Sequence, residues 1–207
     1  MSNYETAKKS GAERFLTYET QKIIDRLGLR SDGDYLYMDF VSRACRIQLS
    51  TGLCQHASRE GGFEEAGFNE SMTLYDLLCH TEEPIRLSGE FVPLESLSTV
   101  QNACSYAGEG VFRQLEQALD GREAALAAAC EALGGVRQGR GDVSYRIPVF
   151  GDVSLLISFW RSDEDFPASL RIYCDRDLTR YIYYETIWYL TGYVTEQIRR
   201  QMTEGAT

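Results

Sequence analysis

Apolar and polar positions along this chain recur with two periods, one helical and one extended. From about residue 4 to 27, Phe15, Leu16, Ile23, Ile24 and Leu27 fall on one side and Glu13, Lys22, Asp25 and Arg26 on the other, the spacing of one amphipathic helix, and Gly28 supplies its stop. Ser31-Asp32-Gly33-Asp34 is turn chemistry, so 35–40 and 45–49 read as paired strands closing on Thr51-Gly52, and 1–52 as a helix plus hairpin. Residues 53–69 turn polar and glycine-rich, with Gly61-Gly62 and Gly67, which predicts an irregular surface loop. A helical part follows over 70–135. Asn69 or Ser71 caps a helix through His80 with Met72, Tyr75, Leu78 and Cys79 on its inner face. Pro84 ends that helix, 85–91 reads as a short strand, and Pro93 opens a helical turn at 94–97. From Gly108 on, Val111, Phe112, Leu115 and Leu119, then Gly121, then an alanine-rich run to Leu133 predict two helices or one broken helix.

The period of two returns over 140–175, the sheet part. A strand over 142–149 meets Gly151-Asp152, a two-residue hairpin turn, and a partner strand over 153–160. On that partner Val153, Leu155, Ile157 and Phe159 share one face and Ser154, Leu156, Ser158 and Trp160 the other, so Trp160 points away from the deeper core. Another strand covers 170–174, and a terminal helix over 183–202 turns Ile187, Leu190, Val194 and Ile198 inward. Hairpins and helices without regular alternation predict an α+β fold: a single domain, an antiparallel or mixed sheet flanked by helices, and a long C-terminal helix.

Composition narrows the function classes. A chain of 207 residues with 43% hydrophobic content suits one domain burying about 70% of its unfolded surface. Its 31 acidic and 21 basic residues give a net charge of -10, which argues against nucleic acid or an anionic membrane as partner, because both are gripped by clustered Lys and Arg. The N-terminal stretch has no apolar run behind a basic start, and the longest apolar run, 155–160, is far short of the roughly 20 residues a membrane span needs. A soluble, cytoplasmic protein is expected. The cysteines at 45, 54, 79, 104, 130 and 174 show no Cys-x-x-Cys spacing and read as buried thiols of a reducing compartment. Cys54, His56, Cys79 and His80 form one weak set of candidate metal ligands in two short pieces. Gly139-Arg140-Gly141-Asp142 leads into a strand rather than a helix, so it lacks the context of a phosphate loop. The sequence has no nucleophile elbow, zinc His pair, Walker loop or dinucleotide fingerprint. Hence no catalytic residue and no cofactor are predicted, a divalent cation being the one alternative.

Candidate binding chemistry gathers late in the chain. Trp160, Asp163, Glu164, Asp165 and Phe166 lie in one connection, Asp175 closes the next strand, and Glu185 opens the last helix. Carboxylates beside aromatic walls serve acid-base work, hold a hard cation or grip a cationic ligand. The plainer reading makes the same acids turn formers and caps, with Glu185 answering a helix dipole. Three functions follow. The leading one is a non-catalytic accessory domain whose acidic-aromatic surface docks a protein partner or small ligand. A second is a metal-assisted enzyme using Asp163, Glu164 and Asp175. A third is a structural homo-oligomer built on the tyrosine-rich last helix region, around Tyr181, Tyr183, Tyr184, Trp188, Tyr189 and Tyr193.

Gly141-Asp142-Val143-Ser144-Tyr145, the run from Phe159-Trp160 through Ser162-Asp163-Glu164-Asp165-Phe166-Pro167-Ala168, then Asp175 and Tyr184-Glu185, together resemble the bacterial domain-of-unknown-function family 3786. The likeness extends upstream through Ala12 to Leu27, the strands around 35–49 and Leu87-Ser88-Gly89-Glu90, and its most specific part is Trp-x-x-Asp-Glu-x-Phe-Pro-Ala. The resemblance implies a small cytoplasmic protein of anaerobic bacteria or archaea, of unassigned activity, some relatives being joined to an iron-sulfur domain like that of corrinoid proteins in one-carbon metabolism. This chain departs from the joined relatives in lacking a cysteine-rich cluster module, so any such partner would be a separate chain. Tyr173-Cys174-Asp175 stands where the family pattern has an aliphatic-Phe-Asp ending, which leaves the strand reading intact.

Overall fold

A computed structural model describes residues 3–80, 83–97 and 112–204. The fold is α+β, with two five-stranded antiparallel sheets and a long C-terminal helix. The chain forms two compact units: one takes the chain up to Arg86 with Phe150–Asp152 and Asp177–Tyr193, the other takes Leu87–Val149, Val153–Arg176 and the chain from Val194. The helical start expected at Gly108 to Val111, and Cys104, lie outside the described residues.

In the first unit, strands β1 (Arg30–Ser31), β2 (Tyr35–Phe40), β3 (Arg43–Gln48), β4 (Cys54–Ala57) and β5 (Phe63–Glu65) pair in sequence order. Alternation decides the faces: Leu36, Met38, Phe40, Cys45, Ile47 and Cys54 are buried. The other face stacks the Arg46 guanidinium on the rings of Tyr35 and Phe63, 3.9 and 4.0 Å from their centroids. The expected irregular loop at 53–69 is therefore corrected. Gly61 and Gly62 belong to the turn of a β4–β5 hairpin, where they take φ of 95° and 76° and the Ser58 amide donates to the Gly62 carbonyl, and Gly67 stands just before the helix that starts at Phe68.

The single helix expected over 4–27 is two helices, α1 (Asn3–Phe15) and α2 (Thr20–Leu27). Both the amide and the hydroxyl of Thr17 donate to the Arg14 carbonyl, at 3.0 and 2.7 Å, which closes a tight turn in place of the helical ladder. Gly28, at φ 64°, ends α2 with its amide on the Ile24 carbonyl. Helix α3 (Phe68–Cys79) is buried almost all round. Met72, expected inward, is half-exposed, as are Phe68 and Asn69, whereas the charged Glu70 and Asp76 are 1% and 3% exposed. Asp76 is answered by Arg14 Nη2 at 2.6 Å, Thr186 Oγ1 at 2.5 Å and the Tyr183 amide at 3.3 Å, tying α1 and the start of the last helix to α3.

In the second unit, β6 (Phe91–Pro93), β10 (Ser169–Asp175), β9 (Val153–Trp160), β8 (Val143–Phe150) and β7 (Val136–Arg137) lie in that order. The strand expected at 85–91 forms later, at β6. The amides of Ser88 and Gly89 are held by the Asp175 carboxylate rather than by a strand neighbour, and Pro93 is accommodated because β6 is an edge. Within β9, Val153, Leu155, Ile157 and Phe159 are buried and Trp160 is half-buried, as its alternation predicts. Helices α4 (Arg113–Leu119) and α5 (Glu123–Ala132) are separated at Gly121, whose φ is 76°. Helix α6 (Tyr184–Glu204) buries Ile187, Leu190, Val194 and Ile198; its residues through Tyr193 belong to the first unit and the rest to the second. No helix among the described residues is long and apolar enough to cross a membrane.

Gly11 sets the approach of α1 to α3. A Cβ there would stand 2.4 Å from Cδ2 of Tyr75, a 2% exposed ring whose hydroxyl is fixed on the Gly52 carbonyl at 2.7 Å. Alanine gains about 1 kcal/mol over glycine in a helix interior, whereas overpacking a core costs about 1–3 kcal/mol. Gly11→Ala is therefore expected to lower stability by up to about 2 kcal/mol in urea unfolding; an increase would show that the Tyr75 ring moves aside freely.

Candidate functional site

Strand β9 ends at Trp160 and β10 begins opposite it at Ser169, so residues 161–168 form the connection. That is longer than a tight hairpin needs, and its backbone donors must find acceptors elsewhere. Carboxylates supply them. Asp142 Oδ2 accepts from the Arg161 amide at 2.9 Å, and Asp120 accepts from the amide and hydroxyl of Ser162 at 3.1 and 2.6 Å. The bond from Ser162 is the main reason the Asp120 carboxyl is held below its ordinary pKa. Asp163 Oδ1 accepts from the amides of Asp165 and Phe166 at 2.9 and 2.8 Å, and the Asp163 amide donates to the Phe166 carbonyl at 2.9 Å. Beyond Pro167, Glu116 Oε1 accepts from the Leu170 amide at 2.9 Å. Asp163 is thus a turn-forming acid, and Asp120 and Glu116 on or beside α4 are site residues that local sequence could not reveal, being 42 and 54 positions from their partners.

This pinned connection presents Phe166, 70% exposed, with Glu164 and Asp165 exposed beside it. Trp160 is half-buried at the base, where Gly141, at φ 71°, lies so close that a Cβ would meet the indole Cε2 at 3.1 Å. A cleft of about 700 Å³ runs along the loop, lined by Pro167, Ala168 and Leu170 with Arg113, Glu116 and Arg171.

The remaining expected residues are not brought to this loop. Asp175 lies at the other end of the seven-residue strand β10, about 20 Å from the loop at 3.3 Å per residue. It is 2% exposed and accepts from the Ser88 amide and hydroxyl at 3.2 and 2.9 Å and from the Gly89 amide at 2.6 Å. Glu185 accepts from the Tyr189 hydroxyl one helical turn on, at 2.6 Å. Asp163, Glu164 and Asp175 accordingly form no common cation cage. Among the described residues no group of three or more His, Cys, Asp or Glu side chains is placed to hold a metal.

Cys54, His56, Cys79 and His80 are likewise separated. His56 Nδ1 stands 2.7 Å from Glu70 at the start of α3, whereas Cys79 ends that helix, about 14 Å further along at 1.5 Å per residue. Burial pushes the Cys54 thiol up to about 12 and the Cys79 thiol up to about 11, so both stay protonated at neutral pH. His80 caps the end of α3 and sets its ring edge-on to Tyr183, with centroids 4.2 Å apart. Sequence reasoning missed Glu70 and Asp76; the available signal was a pair of acids inside a largely apolar helical run.

Two aspartates should therefore fail differently. Asp163→Ala is expected to speed amide exchange at Asp165 and Phe166 by about tenfold or more while changing global stability by less than about 1 kcal/mol, because only an exposed loop is released. Asp175→Ala leaves several donors without their acceptor and is expected to cost about 2–3 kcal/mol in urea unfolding. Equal global effects would contradict the assignment.

A match to the family described as "Domain of unknown function (DUF3786)" runs over residues 19–197. No curated protein and no solved structure matches the chain. The matched span takes in the pinned loop, Asp175 and Tyr184-Glu185 along with most of both units, and the chain belongs to this family of unknown function.

Proposed function

We propose that this chain is a non-catalytic recognition module that docks a protein partner through the loop at 161–168. One observation carries the reading: Phe166 is 70% exposed on a connection whose backbone is fixed by three carboxylates, with a fourth, Glu116, holding the Leu170 amide just beyond it. A large apolar side chain held out in water by a preorganised loop is a binding anchor, since ordering costs that weaken association are already met. Glu164 and Asp165 flank it, and no ion pair involving them forms among the described residues. The partner surface therefore offers an apolar socket rimmed by Lys or Arg.

A small ligand is the second reading, favoured by the adjoining cleft of about 700 Å³ with its mixed guanidinium and carboxylate lining. The tyrosine-rich helix offers less contact surface for an oligomer, because Tyr193 is buried and Tyr183 is its one strongly exposed ring among the described residues. A cytoplasmic setting fits the five described cysteines, all free and buried. An iron-sulfur or corrinoid partner rests on resemblance alone.

A photo-crosslinking residue placed at position 166 is expected to capture one discrete partner from native lysate. Phe166→Ala is expected to weaken binding of that partner by about thirtyfold, the loss of about 2 kcal/mol typical of an anchor. The pair Glu164→Lys with Asp165→Lys is expected to weaken it further at low salt than at high salt. Unchanged affinity in both variants, with the fold intact, contradicts the proposal.

A further inference from the structure

A second polar cluster lies in the first unit and has no part in the recognition loop. Cys45 and His56 are direct partners across β3 and β4, and Glu70 of α3 reaches both of them. Its Oε2 stands 2.7 Å from His56 Nδ1 and its Oε1 3.3 Å from Cys45 Sγ. The other ring nitrogen, Nε2, stands 3.0 Å from Glu64 Oε1 on β5. One imidazole thus faces a carboxylate at each nitrogen. A neutral ring carries a single N–H and can donate to one of them; only the imidazolium donates to both.

We propose that His56 is a proton-operated latch: as imidazolium it fastens the β4–β5 hairpin to α3, and on losing a proton it lets β5 go. The choice of contact released follows from burial. Glu70 is 1% exposed and has no water to replace a lost donor, so the remaining N–H stays on Nδ1. Nε2 then turns a lone pair toward Glu64, whose side chain is 55% exposed and is readily hydrated. Repulsion replaces attraction at the β5 end alone.

The surrounding groups set the extent of opening. Arg43 of β3 reaches Glu64 at 3.3 Å and the Ala57 carbonyl at 3.0 Å, and Lys8 of α1 pairs with Glu65 at 2.5 Å. Both ion pairs are made without His56, so β5 loosens without the unit unfolding. Burial pushes the thiols of Cys45 and Cys54 and the hydroxyl of Tyr193 upward, which leaves them neutral as His56 titrates. The bond to Glu70 raises the His56 pKa above its ordinary value, against an opposing effect of burial. The latch is therefore fully closed below about pH 6.5 and is lost as pH rises through the raised folded value.

The test uses the whole chain. Ring resonances of His56 are followed by NMR from pH 5.5 to 9 alongside hydrogen exchange of the Glu64 and Ala66 amides, which face β4 in the ladder, corrected for intrinsic base catalysis. Protection of those amides is expected to drop about tenfold or more through the His56 titration, with α3 protection unchanged. Glu64→Gln, at a mostly exposed position that leaves Glu70 intact, is expected to abolish the step, and His56→Gln to give low protection at every pH. A ring already neutral at pH 6, protection flat through its titration, or a step that survives in Glu64→Gln overturns the latch.

Discussion

A carboxylate leaves water only where donors meet it, and in this acidic chain that constraint organises the first unit. Helix α3 is buried almost all round, so Asp76 must be answered from neighbouring elements. Arg14 of α1, Thr186 of α6 and the Tyr183 amide answer it together. Leaving such a charge unanswered costs several kcal/mol, comparable with the whole stability of a small domain. The contact of Gly11 with Tyr75 and the break between α1 and α2 follow from the same docking: α1 must lie close enough for Arg14 to reach Asp76, and Thr17 turns the chain directly afterwards.

The second unit applies the rule to backbone amides. Asp120, Asp142, Asp163 and Glu116 hold the connection from Arg161 to Leu170, and Asp175 holds Ser88 and Gly89. Of the acids that looked like a cation cage, Asp163 and Asp175 are each spent on a separate structural task. What remains for recognition is the group that the turn pushes outward, Phe166, with Glu164 and Asp165 beside it.

Much of the fold was legible in the sequence because it rests on local periodicity. The faces of β9, the Gly151 turn, the inward row of α6 and the stop at Gly28 all follow from spacing within a few residues. The misreadings arose where a distant partner decides. The segment at 53–69 pairs as β4 and β5 although its glycines signal a loop. The strand expected at 85–91 is displaced because a carboxylate 86 positions away takes the Gly89 amide. The loop itself was recognisable as special, and the turn-forming role of Asp163 was one of the two readings its acids offered; its anchors on and beside α4 were not, because they come from a remote stretch of chain.

The most direct test of this account is a double-mutant cycle between Arg14 and Asp76, using Arg14→Met, Asp76→Asn and the pair, with stability read from urea unfolding. A coupling energy of about 1–3 kcal/mol is predicted, the lower end allowing for the partial exposure of Arg14. Additive losses, with a coupling energy near zero, would contradict the claim that buried carboxylates of α3 hold the first unit together.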